Sequence, residues 1–176
     1  GVFSALLLRA LRLRLLAYHF GIPAAARGQL ASFFFGRGVN LFFPFGAGEL
    51  ATTEALVEGG APAPAAASAV FHNRVFEVLA INTFLLAGFV YLGWEGGAGA
   101  LFWSIVLVAA VVSLTRPLGA PEPPAFGLGP LRNVWTAFNG RGLLEATRAV
   151  LSTPRFAFGV WLLSCAALGL EIVGCW

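Results

Sequence analysis

The chain has 176 residues, 59% hydrophobic and only 11% charged, against roughly 45–50% and about 25% in ordinary globular proteins. Eleven basic and eight acidic side chains cannot clothe a soluble domain of this size, and the mean hydropathy is +0.83. The composition indicates an integral membrane protein and argues against nucleic-acid binding, despite a net charge of +3 and a pI near 9.5. Every basic residue is Arg and every acid is Glu, which reads as compositional bias. The absence of Met and the start at Gly1-Val2-Phe3 suggest a segment of a longer protein.

In chain order, Val2–Phe20 reads as a helix with Arg9, Arg12 and Arg14 crowded in its middle, ended by Gly21-Ile22-Pro23. Arg9 and Arg12 share a face and Arg14 lies round the helix, a pattern expected of an interfacial helix. Gln29–Phe45 is apolar but short, and Pro44-Phe45-Gly46-Ala47-Gly48 separates it from a helical stretch, Glu49–Glu58, closed by Gly59-Gly60. Two short helices around a break at Pro44, Gly46 and Gly48 form the pattern of a re-entrant hairpin. The alternative is an ordinary helix kinked at Pro44.

Ala65–Leu92, Gly97–Thr115 and Phe156–Gly174 are long and apolar enough to span about 30 Å of hydrocarbon. Between the last two, Arg116–Arg155 holds five Arg and two Glu, with a Pro-rich first half. Its second half contains a short amphipathic helix, Leu143–Leu151, ending before Pro154. The positive-inside rule places Arg116–Arg155 in the cytoplasm and Glu95 outside. Cys165 and Cys175 are expected as buried free thiols. The fold class is therefore all-α, a polytopic transmembrane helical protein with a re-entrant helical hairpin. Residues 1–176 form a single transmembrane domain, and 116–155 form a cytoplasmic Pro/Arg-rich loop within it.

Ionisable groups at membrane depth cost roughly 2.5–3.5 kcal/mol each and mark candidate sites. Arg74 and Glu77, three residues apart, can pair on one helical face, with Asn73 adjacent. Two readings stand: a self-satisfying ion pair, or an Arg that takes a lipid phosphate while Glu77 orients it. On the second reading Glu77→Gln should be milder than Arg74→Gln. Glu49 begins its helix, where a carboxylate is favoured by the helix dipole, so capping is its simplest role. Glu54 and Glu58 share a face and call for solvent, a cation or an Arg, with Arg37 and Asn40 as possible partners. Two His, no Asp and no Lys leave no zinc motif and no Walker loop. No metal and no cofactor is expected.

The run Asn40-Leu41-Phe42-Phe43-Pro44-Phe45-Gly46-Ala47-Gly48-Glu49 resembles the Asn-x-x-x-Pro-x-x-x-Gly-Glu signature of the lysylphosphatidylglycerol synthase transmembrane (flippase-like) family. Arg74-Val75-Phe76-Glu77 is similar to that family's Arg-x-x-Asp, with Glu in place of Asp. The resemblance covers about residues 40–77, and family domains are longer, which implies that this chain covers a middle portion.

What the resemblance implies is a non-hydrolytic, lipid-handling membrane protein, transporter-like in preference to an enzyme, in the bacterial cytoplasmic (inner) membrane. Arg74, Glu77, Glu49, Asn40, Arg37 and Glu54 become the lipid-binding candidates, and anionic or phosphate headgroups the partners. The rival expectation is a non-catalytic structural subunit of a larger membrane assembly, with other membrane chains as partners.

The topology is testable with single cysteines in a chain whose native cysteines are replaced by Ala. Glu95→Cys should react with an impermeant maleimide in intact cells, and Gly119→Cys only after permeabilisation. Labelling of Gly119→Cys from outside would reverse the orientation.

Overall fold

The computed structural model describes residues 1–22, 26–42, 47–92 and 140–174. Every regular element among them is an α-helix: α1 (Val2–His19), α2 (Ala26–Phe42), α3 (Ala47–Glu58), α4 (Ala63–Leu92), α5 (Gly140–Leu151) and α6 (Pro154–Gly174). The expected span Gly97–Thr115, the Glu95 turn, most of the Arg116–Arg155 loop, Cys175, and Pro44 and Gly46 of the hairpin lie outside the described residues.

Two helix ends show how local chemistry sets the topology. Gly21 (φ 73°) and Gly60 (φ 92°) take the left-handed conformation that closes a helix. Ile22 N–H then bonds Ala17 O, and Ala61 N–H bonds Leu56 O, each reaching back across the last turn. All four residues are buried in the core, so each turn is fixed by a hydrophobic contact as well as by hydrogen bonds.

α4 and α6 are long and apolar enough to cross a membrane. α4 has 30 residues, about 45 Å of helix, and exceeds the hydrocarbon thickness. α1 packs on α6 and α4, α2 on α1 and α3, and α3 on α4; α5 bridges α4 and α6. α5 matches the expected amphipathic helix, although it begins at Gly140.

Apolar side chains fill the core and also cover much of the surface, as an apolar surrounding allows. Phe3, Tyr18, Leu41, Phe42, Val90, Tyr91 and Val173 are exposed, while Arg9 and Arg12 are buried. Small residues at buried positions, Ala5, Ala10 and Ala17 of α1 and Ala66, Ala67 and Ala69 of α4, permit close helix contacts. An apolar exterior around a charged interior is what hydrocarbon surroundings select.

α1, expected as an interfacial helix, packs along α6 and α4 with one face buried. Ala5, Arg9, Arg12, Leu13 and Leu16 form its buried face, and Arg14 is exposed on the other side. The face bearing Arg9 and Arg12 is therefore a core face. α2 and α3 are separate helices packed on each other, not one kinked helix. Their contact is closest at Gly36 and Gly48, where an added β-carbon would collide with Thr52 or Asn40 and with the opposing backbone.

Candidate functional site

Eleven side chains or backbone groups from five helices converge at the crossing of α1, α4 and the α2–α3 pair. Glu77 of α4 is the hub. Its carboxylate meets Arg9 Nη1 of α1 at 2.7 Å, Arg74 Nη1 at 2.8 Å and Arg37 Nη2 of α2 at 3.8 Å. Arg9 also reaches Glu171 of α6 through Nη2 at 2.5 Å. Arg9 thus bridges two carboxylates on two helices, a use of the guanidinium fork that a lysine could not reproduce.

The hairpin joins through Glu49, which lies in the first turn of α3. Arg74 Nε approaches Glu49 Oε1 at 4.0 Å, and Asn40 Nδ2 donates to Glu49 Oε2 at 3.5 Å. Asn40 Oδ1 in turn accepts the Gly48 backbone N–H at 2.8 Å. The cap of α3 is therefore supplied by Asn40 across the hairpin, where Glu49 was the expected capping group. Glu49 faces Arg74 and Asn40 instead, while its position in the first turn remains favourable to the helix dipole.

Arg12 completes the cluster from beneath. It is 2% exposed. Its Nε donates to Asn73 Oδ1 at 2.8 Å and its Nη1 to Ser164 Oγ of α6 at 3.0 Å. A cavity of about 30 Å³ lies beside it, lined by Arg12, Arg37, Asn40, Glu49, Asn73 and Glu77 together with Gly36, Gly48 and Thr52. That volume holds about two waters at roughly 10–15 Å³ each.

Five of the six residues expected to bind lipid meet in this network: Arg74, Glu77, Glu49, Asn40 and Arg37. Glu54 does not join them. Its Oε2 is buried without a hydrogen-bond partner among the described residues, and Glu58 is exposed. The pairing of Arg37 and Asn40 with Glu54 and Glu58 gives way to pairing with Glu77 and Glu49. Arg74 lies outside the cavity lining, with its side chain 55% exposed.

Sequence reasoning missed Arg9, Arg12, Ser164 and Glu171. The clues were present: Arg9 and Arg12 follow Ala5 at helical spacing on a face of small residues, and Glu171 is the sole charge in an otherwise uncharged span. His72, adjacent to the cluster in sequence, points elsewhere. It is buried and contacts Ser68 O and Thr147 Oγ1, tying α4 to α5. Among the described residues no group of His, Cys, Asp and Glu could hold a metal ion.

A helical membrane domain with a charged interior is the class that fold and site define. The family model described as the lysylphosphatidylglycerol synthase TM region matches residues 1–176. The chain belongs to this family, and the match extends well beyond the 40–77 stretch that carries the motif resemblance. No curated protein and no solved structure matches. The family marks the chain as an integral membrane protein related to lipid handling.

The hub position of Glu77 sets an order of the two glutamine variants for stability, apart from their effect on lipid movement. Glu77→Gln leaves Arg9 and Arg37 with one charge partner fewer in a buried setting, a loss of about 3–5 kcal/mol. Arg74→Gln removes a half-exposed cation and should cost about 1 kcal/mol or less. Unfolding in detergent should therefore show Glu77→Gln as the more destabilised variant. Equal stability of the two would remove Glu77 from the hub.

Proposed function

We propose that this chain is a flippase-like, lipid-handling domain that lowers the barrier for an anionic headgroup at the membrane. Arg74 takes the headgroup phosphate, Glu77 and Glu49 hold the guanidinium from either side, and Asn40 extends the polar path along the hairpin. The observation that carries this reading is the state of Arg74. It is pinned by two carboxylates yet more than half exposed, so it keeps donors available to an arriving phosphate.

The hairpin supports the same reading. α2 and α3 have 17 and 12 residues, about 26 and 18 Å of helix, each shorter than about 30 Å of hydrocarbon. A re-entrant pair brings a helix start and its polar groups to membrane depth, where a charged headgroup needs them. The reaction proposed is movement without hydrolysis, in the bacterial cytoplasmic membrane, with anionic phospholipid as the partner.

Translocation of a fluorescent phosphatidylglycerol by the full-length protein in reconstituted vesicles tests the proposal. Arg74→Gln should fold and lose at least about tenfold in rate, the equivalent of one charge-assisted hydrogen bond. Arg74→Lys should retain part of it. A normal rate for Arg74→Gln would end the phosphate role and favour the structural-subunit reading.

A further inference from the structure

The α2–α3 hairpin is bounded by two left-handed glycines. Gly21 (φ 73°) ends α1 before α2 begins, and Gly60 (φ 92°) lies between α3 and α4. Beside each glycine the chain is anchored. Ile22 and Ala61 are buried in the apolar core, as is Leu56 in the last turn of α3. The hairpin is therefore pinned at one end. α2 and α3 run antiparallel, since Asn40 meets Gly48 while Gly36, a turn earlier, meets Thr52, a turn later. Arg37 thus lies about 16 Å from the start of α2, and Glu49 about 14 Å from the end of α3.

Within each part the polar contacts are short. Arg9 meets Glu77 at 2.7 Å and Glu171 at 2.5 Å, and Arg12 meets Asn73 at 2.8 Å and Ser164 at 3.0 Å, which ties α1, α4 and α6 together. Inside the hairpin the Gly48 N–H donates to Asn40 Oδ1 at 2.8 Å, and Gly36 and Gly48 bring the two backbones close. Between the two parts the ion pairs among the described residues are long: Arg37 to Glu77 at 3.8 Å and Arg74 to Glu49 at 4.0 Å. Arg37, Glu49 and Arg74 are each partly exposed, and pairs of that kind contribute about 0.2–1 kcal/mol. The cavity falls on the same boundary. Arg12, Val70 and Asn73 line it from the bundle, and Phe33, Asn40 and Thr52 from the hairpin.

We infer that α2 and α3 swing as one body against α1, α4 and α6, pivoting at Gly21 and Gly60, and that the cavity is the mouth this movement opens. A hinge is a few element-terminal residues that absorb the backbone change, and glycine does so at least steric cost. The buried Ile22, Leu56 and Ala61 hold the pivot end in place, so the end bearing Arg37, Asn40 and Glu49 travels farthest and uncovers Arg12 and Asn73. Glu77 keeps Arg9 and Arg74 when Arg37 leaves, and Arg74 keeps Glu77 when Glu49 leaves, so no charge on the bundle side is stranded. The inference goes beyond lipid handling and holds whether or not the chain moves lipid, since it concerns a motion of the protein alone.

Thiol labelling of the full-length protein, with its native cysteines replaced by Ala, tests the swing. Val70→Cys reports on the mouth and Val160→Cys, on α6, on the bundle; the two positions are 3% and 1% exposed. In detergent without denaturant, a maleimide should label Val70→Cys at least about tenfold faster, because local opening requires less free energy than global unfolding. Arg37→Gln combined with Glu49→Gln should speed labelling of Val70→Cys about threefold or more and leave Val160→Cys unchanged. Equal rates at the two thiols, or an equal rise at both, would overturn the inference.

Double electron–electron resonance gives a second readout that needs no buried substitution. Spin labels at the exposed Leu41 of α2 and Leu162 of α6 should give two distance populations, the second growing when Arg37→Gln and Glu49→Gln are added. Labels at the exposed Leu11 of α1 and Leu162 should give one. A single population for the Leu41 pair, unshifted by the two glutamines, overturns the inference. Two populations in a protein that moves no lipid would support the swing and remove only the transport proposal.

Discussion

The structure depends on one carboxylate. Glu77 draws guanidiniums from α1, α2 and its own helix to a single point, and it is one of the two carboxylates that hold Arg9, the most buried of these three cations. The apolar contacts of Leu13, Leu16, Phe33, Val70 and Phe76 surround this point. They bring the helices together, but they are non-directional. The ion pairs and the Arg12 bonds to Asn73 and Ser164 select one register among many that greasy helices could adopt.

That arrangement links the hairpin to the rest of the bundle. Asn40 caps α3 with one side-chain atom and meets Glu49 with another, so the α2–α3 junction and the charged cluster are parts of one network. Gly36 and Gly48 allow the two short helices to touch closely enough for this to happen. Exposure rises along the arginines, from Arg12 through Arg37 to Arg74. The buried end supplies rigidity and the exposed end supplies a cation that a ligand can reach.

Helical periodicity and apolar length made the elements legible in the sequence. α4, α6, the hairpin helices and the amphipathic α5 all fall near their expected positions. The Arg74–Glu77 pair was legible because both residues lie on one face of one helix. Arg9 and Glu171 were not, because their meeting depends on how α1 packs against α6, and the two lie 162 positions apart in the chain. Arg12 was misread for a related reason. Arginines in the middle of an apolar helix are compatible with an interface or an interior, and only the small residues beside them, Ala5, Ala10 and Ala17, favour the interior. The role of Glu77 was read as local orientation because its partners on α1 and α2 are distant in sequence.

The central claim is that Arg9 and Glu77 are energetically coupled across α1 and α4. A double-mutant cycle of Arg9→Met and Glu77→Leu, followed by unfolding in detergent, measures that coupling directly. The double variant should be less damaged than the sum of the two single losses, with a coupling of at least about 1 kcal/mol, as contacting partners show. Losses that add within about 0.3–0.5 kcal/mol would mean that the two residues act independently, and would contradict the account.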